Sequence, residues 1–414
     1  MTRDEEPALD TIAARVGIRT HLGGFTATTP PIVPSTTFVG ESVASVHRAL
    51  EPGAGGFAYS RNANPTVTAL EEGIAALEGG GETIAFSSGM AALHAALLGT
   101  GIGAGDTVVA SRDLYGVTRM LLSHLATFGV SVRYVNAVDV AQVDEALQEM
   151  RPDILLVESI SNPLLRVASI AQLTDLAHAA GARVVVDNTF ATPYLLRPLE
   201  MGVDIVVHSA TKALSGHGDV TAGVVTARGP TARAIRDLRT ATGGILSAFD
   251  AWLTMRGIRT LALRAARQSE SALSVARWLS EQGWVGKVHY PGLPDHPEHE
   301  VASAQFGGLF GSVLTFEIRG GRDTALQFVD RLQMVLPGTS LGDAESLILY
   351  PPLSSHRGMT DDQLREAGIA PGLLRLSVGL ENPRDLNADL AQASEGMKVY
   401  NLGTQPDMSS IDGE

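Results

Sequence analysis

The chain predicts an α/β fold with a mostly parallel central sheet, helices on both faces and a smaller second α/β domain. Three observations lead there. Short apolar, β-branched runs recur at residues 83–86, 107–110, 131–135, 154–157, 184–186 and 205–207, the pattern of strands buried on both faces. Segments of helical period lie between them at 116–128, 140–150 and 170–180, and strand-helix alternation of this kind builds a parallel sheet. From about residue 261 a long helical pattern runs to about 282. The strand candidates beyond it, 312–318, 346–349 and 374–378, are sparser and separated by amphipathic helices.

Taken in order, residues 1–62 are rich in Thr, Pro and Gly, as in Thr28-Thr29-Pro30-Pro31-Ile32-Val33-Pro34, and cannot form one continuous helix or a central strand. They predict an extended arm that packs on something else. Residues 63–257 form the large domain, punctuated by Gly79-Gly80-Gly81 and by glycines between 101 and 105, and residues 258–402 form the smaller one. Residues 403–414 have the composition of a frayed tail, and no tandem repeat is present.

Charge and composition remove several functions. With 31 Lys plus Arg against 45 Asp plus Glu, the formal charge is -14, which argues against nucleic acid or an anionic membrane as partner. Cysteine is absent, so disulfides, thiolate nucleophiles, iron–sulfur clusters and Cys-ligated zinc are excluded. Asp4, Glu5 and Glu6 replace the cationic start of a secretory signal, and no apolar run approaches the ~20 residues needed to cross a bilayer. A cytoplasmic protein is the expectation.

Three segments stand out chemically. Ser88-Gly89-Met90 follows a strand and opens a helix, where unpaired N–H groups and a permissive glycine suit a phosphate, although a plain turn is the commoner reading of such residues. Asp187 ends the strand at 184–186, where a carboxylate faces the ligand crevice of an open α/β sheet; a helix cap or metal ligand explains it equally well. Ser209-Ala210-Thr211-Lys212 ends the next strand and sets an amine beside hydroxyls, as a phosphorylated aldehyde cofactor requires. A lone lysine there is usually just solvated. The three together, with 25 residues between Asp187 and Lys212, are the layout of a fold-type I pyridoxal phosphate enzyme.

The local segments resemble the Cys/Met-metabolism, or transsulfuration, enzymes over roughly residues 20–395. The matching stretches are Tyr59-Ser60-Arg61 with Asn64-Pro65-Thr66, Ser88-Gly89-Met90, Leu114-Tyr115-Gly116, Glu158-Ser159 with Asn162-Pro163, Asp187-Asn188-Thr189, His208-Ser209-Ala210-Thr211-Lys212, Ser215-Gly216-His217-Gly218-Asp219, Ser340-Leu341-Gly342-Asp343 and Arg375-Leu376-Ser377-Val378-Gly379. The resemblance implies pyridoxal 5'-phosphate as cofactor, carried by Lys212, with Asp187 on the pyridine nitrogen. It implies that Ser88, Gly89, Met90, Ser209 and Thr211 hold the phosphate, joined by Tyr59 and Arg61 of a neighbouring subunit in a homotetramer with shared active sites. Tyr115 would stack on the ring and give a proton to the departing γ group. Arg375 would take the substrate α-carboxylate, with Asn162, Thr339 and Ser340 around the substrate.

Departures from the family pattern bear on the substrate, a small amino acid. Methionine γ-lyases carry a cysteine where this chain has Val117 and a Lys-Asp pair near Arg239-Thr240, and cystathionine-handling members carry a glutamate where it has Thr339. Ser340-Leu341-Gly342 leans towards the lyases. The resemblance therefore implies α,γ-elimination on an L-homoserine-derived sulfur amino acid such as L-methionine, with γ-replacement of the cystathionine γ-synthase or O-acylhomoserine sulfhydrylase type as the alternative. A Rossmann nucleotide binder lacks its Gly-x-Gly-x-x-Gly turn here, and a cofactor-free relic would have no need of this full set. His217 and His296-Pro297-Glu298-His299-Glu300 suggest no metal. The latter reads as a solvated turn entering a helix.

Overall fold

The computed structural model describes residues 7–17, 21–22, 25–26, 28–51 and 56–397. The expected tail at 403–414 lies outside the described residues. Seven strands form the main sheet: β1 Glu82–Phe86, β2 Thr107–Ser111, β3 Ser131–Val135, β4 Ile154–Glu158, β5 Arg183–Asp187, β6 Ile205–His208 and β7 Gly223–Ala227. Their order across the sheet is β1-β7-β6-β5-β4-β2-β3. Strands β2 to β6 are mutually parallel, while β7 pairs antiparallel with both β1 and β6. The sequence pattern shows six of the seven. It misses β7, because Gly223 begins it and only two β-branched apolar residues follow.

Burial grades across the sheet as the sequence requires. All five residues of β4, flanked by β5 and β2, are buried, and at the edge β3 exposes Ser131 and keeps Arg133 beside Glu149 at 2.5 Å. Helices Val140–Met150 and Ile170–Ala179 cover one face around Leu155, Val157 and Val184. Helices Gly89–Gly99, Gly116–Ala126 and Gly229–Thr242 cover the other around Ile154, Leu156 and Val185. Each fully buried Val, Leu or Ile in these layers contributes ~1.5–3 kcal/mol.

A second sheet of five strands, β8 Val285–His289, β9 Val313–Ile318, β10 Leu336–Pro337, β11 Leu347–Leu349 and β12 Leu373–Ser377, has the order β8-β9-β12-β11-β10. Helices Leu261–Ser280, Gly321–Arg331 and Pro383–Ser394 pack with it around Phe316, Phe328 and Leu376. Strand β8 is missed in the sequence because Gly286 and Lys287 face solvent at the sheet edge. Arg375, expected at the start of a strand, stands in the middle of β12 opposite Thr315 and Leu349.

The N-terminal segment departs from a purely extended arm. Helix Val43–Leu50 interrupts it, started by a reciprocal cap between Ser42 and Ser45, and none of its residues is buried. The neighbouring stretch is extended and pinned, since Asn64 Nδ2 donates to Val33 O at 2.8 Å and Thr66 Oγ1 donates to Pro31 O at 3.0 Å. A second correction concerns residues 296–300, which do enter a helix, His299–Gln305, but are not all solvated. His296 and Glu298 are buried, because Arg166 Nη2 reaches Glu298 Oε1 at 2.8 Å and the Glu298 N–H donates to His296 Nδ1.

Candidate active site

The carboxyl ends of β4, β5 and β6 open onto a cleft of about 1160 Å³. Such ends are where ligands sit in open α/β sheets. Lys212 comes just past β6, with its backbone N–H donating to Ser209 O at 3.1 Å. Its Nζ donates to Ser340 Oγ at 3.2 Å. Burial, and then the Arg375 charge, pull its pKa below the usual lysine range, against a smaller opposing pull from Asp343. The lowering favours the neutral amine, the form that acts as a nucleophile and a base.

Asp187 closes β5 and lines the cleft. Its Oδ1 accepts from Thr189 Oγ1 at 2.5 Å and from the Thr189 N–H at 3.0 Å, and among the described residues its Oδ2 has no hydrogen-bond donor. Burial raises its pKa, and the Thr189 bonds and His208 oppose that rise. Beside it, at the end of β4, Glu158 is the register partner of Asp187. Glu158 Oε1 accepts from the Tyr115 N–H at 2.6 Å, and its Oε2 is buried without a partner. Burial, reinforced by the Asp187 charge, holds the Glu158 carboxyl well above the usual range.

The turn after β1 forms another wall. Ser88 caps helix Gly89–Gly99 by accepting from the Ala91 N–H at 3.1 Å, which leaves the first N–H groups of that helix for a ligand. The turn lies flush on its surroundings: a Cβ at Gly89 would stand 2.8 Å from Ser209 Cβ, and one at Gly223 would stand 2.1 Å from Ser88 O. Ser209 and Thr211 also line the cleft. The Thr211 hydroxyl is engaged with Ala222, accepting from its N–H at 2.9 Å and donating to its O at 3.0 Å.

Arg375 enters from the second sheet. It is 3% exposed, with Nη1 donating to Asn162 Oδ1 at 3.0 Å and Nη2 to Ser340 O at 3.0 Å. Its Nε is buried without an acceptor, and burial lowers its pKa to about 10. A buried cation left with an open donor is costly unless an anion completes it. Tyr115 stands at the mouth, 40% exposed, with Thr339 on the same cleft.

The cleft thus brings together Ser88, Gly89, Met90, Tyr115, Asn162, Asp187, Ser209, Thr211, Lys212, Thr339 and Arg375, with Ser340 joined through Lys212. It does not bring Tyr59 and Arg61. Those two stand outside its lining, with the Arg61 guanidinium 5.1 Å from the Tyr59 ring centroid. His356, Arg112, Arg119 and Arg357 line the cleft without having been singled out by sequence. His356 ends the stretch Tyr350-Pro351-Pro352-Leu353-Ser354-Ser355-His356, which departs from the family pattern as Ile160 does, and that departure is the signal that points to both as flanking the substrate. Among the described residues no cluster of three or more His, Cys, Asp or Glu is placed to hold a metal, and no helix is long and apolar enough to cross a membrane.

Residues 10–395 match the family model of the Cys/Met metabolism PLP-dependent enzymes. The chain belongs to that family. As a member, it is a pyridoxal phosphate-dependent transsulfuration lyase or transferase. Among curated relatives of this enzyme, an O-succinylhomoserine sulfhydrylase of Pseudomonas aeruginosa is 39% identical over 94% of the chain and 95% of its own length. An L-methionine gamma-lyase of Fusobacterium nucleatum is 40% identical over 94% and 99%. A solved cystathionine gamma synthase of Xanthomonas oryzae, in complex with aminoacrylate and cysteine, superposes with a TM-score of 0.87 at 36% identity, covering 94% of this chain and 98% of its own.

The residues present fit the cofactor. A glycine turn that a Cβ would fill, a helix start with free N–H groups, a lysine of lowered basicity and a strand-end carboxylate with one free oxygen are what a phosphate, an aldehyde and a ring nitrogen call for.

Proposed function

We propose that the enzyme catalyses α,γ-elimination on an L-homoserine-derived sulfur amino acid such as L-methionine, releasing a thiol, ammonia and 2-oxobutanoate. The observation that carries this reading is the convergence of Lys212, Asp187 and Arg375 on a cleft whose remaining wall includes apolar side chains, among them Ile160, Leu341, Leu353 and Met359. Such a wall suits a thioether.

Bound pyridoxal phosphate supplies an electron sink that acidifies the substrate Cα and then Cβ protons. The chain's residues do the rest. Arg375 and Asn162 take the α-carboxylate, completing the open guanidinium. Gly89, Met90 and Ser209 would hold the phosphate, joined by Thr211 once its hydroxyl proton turns from Ala222 O, and Asp187 would face the ring nitrogen. The Lys212 amine would hold the cofactor and, when free, would move the Cα and Cβ protons. The Tyr115 hydroxyl gives its proton to the departing sulfur. Tyr59 and Arg61 serve the phosphate of a neighbouring subunit, which accounts for their position outside this chain's cleft; the proposed assembly is a homotetramer with shared sites, and the proposed compartment is the cytoplasm.

A second reading is γ-replacement, of the cystathionine γ-synthase or O-acylhomoserine sulfhydrylase type. Arg112, Arg119 and Arg357 are among the residues that line the same cleft, and a cationic wall suits a leaving group that ends in a carboxylate, as a succinyl ester does. The two readings separate in one assay of the cofactor-loaded enzyme with L-methionine, L-cystathionine, O-acetyl-L-homoserine and O-succinyl-L-homoserine, each with and without added thiol. Elimination yields 2-oxobutanoate with no added nucleophile. A new amino acid that appears only with thiol, and no keto acid without it, refutes the lyase reading.

A further inference from the structure

Two carboxyl groups end adjacent strands in this cleft, and their surroundings differ. Glu158 and Asp187 are register partners. Glu158 receives a hydrogen bond from the Tyr115 N–H. Asp187 receives two from a single residue, Thr189, one from its N–H at 3.0 Å and one from its hydroxyl at 2.5 Å, both on Oδ1. The Thr189 hydroxyl in turn accepts from the Ser209 N–H at 2.8 Å.

These bonds fix the direction of a chain of donors. A hydroxyl has one proton and two lone pairs. With one lone pair of Thr189 Oγ1 taken by the Ser209 N–H, its proton goes to Asp187. The chain therefore runs Ser209 N–H to Thr189 O–H to Asp187 carboxylate, each link polarising the next. It ends on the ionised form of Asp187, which such donors favour. The backbone around it is clamped independently: the Asn188 N–H donates to Val207 O at 2.8 Å, the Ser159 N–H donates to Asp187 O at 3.1 Å, and Asn188 Nδ2 donates to Leu196 O at 2.8 Å. The Thr189 hydroxyl is thus not needed to hold the strand ends together. Thr189 also lines the cleft, but its hydroxyl proton is committed to Asp187 and one lone pair to the Ser209 N–H, which points its hydroxyl to aiming and charging Asp187.

We infer that Thr189 is a positioning residue that couples the two ends of the cofactor site, tying the Ser209 amide on the phosphate side to the Asp187 carboxylate on the ring-nitrogen side. The coupling keeps the negative charge of the strand-end pair on Asp187 with Oδ2 free for the ring, and it commits the Ser209 N–H, so that Ser209 meets the phosphate through its hydroxyl alone. The inference rests on the proposed role of Asp187.

The test compares Thr189→Val, Thr189→Ser and Asp187→Ala as full-length enzymes titrated with pyridoxal phosphate, reading the visible absorption and circular dichroism of the bound cofactor, its dissociation constant, kcat and KM. Loss of a hydrogen bond to a charged group predicts cofactor binding weaker by roughly 10- to 100-fold in Thr189→Val, with a changed dichroic band, a lower kcat and an unchanged KM. Thr189→Ser keeps the hydroxyl and should restore all of them. A wild-type Thr189→Val, or a Thr189→Ser as impaired as Thr189→Val, overturns the inference. If Thr189→Val yields no folded protein, Thr189→Ala carries the same comparison. Asp187→Ala separates the two levels: wild-type cofactor binding and turnover there sink the assignment of Asp187 itself, whereas a crippled Asp187→Ala beside a normal Thr189→Val sinks only the role of Thr189.

Discussion

The floor of the cleft and its rim are built in different ways. The floor, with Lys212, Asp187 and the turn at Gly89, stands at strand ends whose backbone bonds reach across the main sheet, such as Asn188 N–H to Val207 O at 2.8 Å and Thr211 N–H to Ala222 O at 3.1 Å. The rim over residues 351–359 is held mostly by short-range bonds, His356 N–H to Pro351 O at 2.9 Å and Met359 N–H to His356 O at 3.0 Å, and it leaves Leu353 55% exposed. On the proposed reading, a floor anchored in the sheet fixes the shared chemistry, and a locally folded rim is free to set which γ-substituent is accepted.

Lys212→Ala tests the floor with the largest expected effect. Removing the proposed covalent anchor and proton carrier should lower turnover of every substrate by at least ~10³-fold and remove the visible absorption of lysine-bound cofactor. Steady-state rates and an absorption spectrum of the purified variant check this. Residual turnover that keeps the wild-type ranking of substrates and the wild-type band would place the reacting amine elsewhere.

The floor also depends on a buried arginine far in sequence from the reacting groups. Arg239 is 3% exposed, with Nη1 donating to Glu71 Oε1 at 2.5 Å and Nη2 to Asn62 O at 3.0 Å, while Glu71 Oε1 also accepts from the Ala85 N–H at 2.8 Å. It therefore ties the Tyr59–Asn62 stretch to the strand that leads into Ser88 and Gly89. Arg239→Ala leaves Glu71 Oε1 with the Ala85 N–H alone, while Arg236 Nη1 stays 3.6 Å from Oε2, and should cost about 1–3 kcal/mol of stability, measurable as a lower midpoint in urea. A loss below about 1 kcal/mol would show that water or a neighbour replaces the guanidinium.

The same contrast governs what the sequence reveals. Strands β4, β5 and β6 are legible because burial on both faces demands β-branched runs, and the polar residues that end them, Asp187 and Ser209 to Lys212, then stand out against an apolar background. Strand β7 is not legible, since its place between β1 and β6 is a tertiary fact and its own run is short. Arg375 is legible as a charge inside an apolar strand. Glu158, Thr189 and His356 acquire their meaning from neighbours 20 to more than 40 residues away, such as Ser209 for Thr189 and Tyr115 for Glu158, and no local pattern carries that. The substrate is hidden for the same reason, because the rim follows no periodicity that a sequence could display.

His356 probes the rim, with the smallest effect. Burial first, then the Arg375 and Arg119 charges, push its pKa from 6.5 down to about 4. Between these two values the unfolded chain binds a proton that the folded chain refuses, so stability falls as the pH drops from about 6.5 to about 4 and levels off below. The slope is at most about 1.4 kcal/mol per pH unit for one group, and less here because the ring is partly open to solvent. His296, also held at about 4 by burial and then by His289, adds a second contribution of the same sign from outside the cleft. In His356→Gln the acid loss should shrink while the His296 part remains. Because the side chain lines the cleft and its hydrogen bond goes to Ser355 rather than to Lys212 or Asp187, the ranking of substrates should change by a few-fold more than the best turnover does. Thermal unfolding at pH 7, 5.5 and 4.5, together with the four-substrate assay, reads both effects. An unaltered pH slope would mean that His356 titrates normally in the folded enzyme, and an unaltered ranking would move the choice of γ-substituent away from this side of the rim.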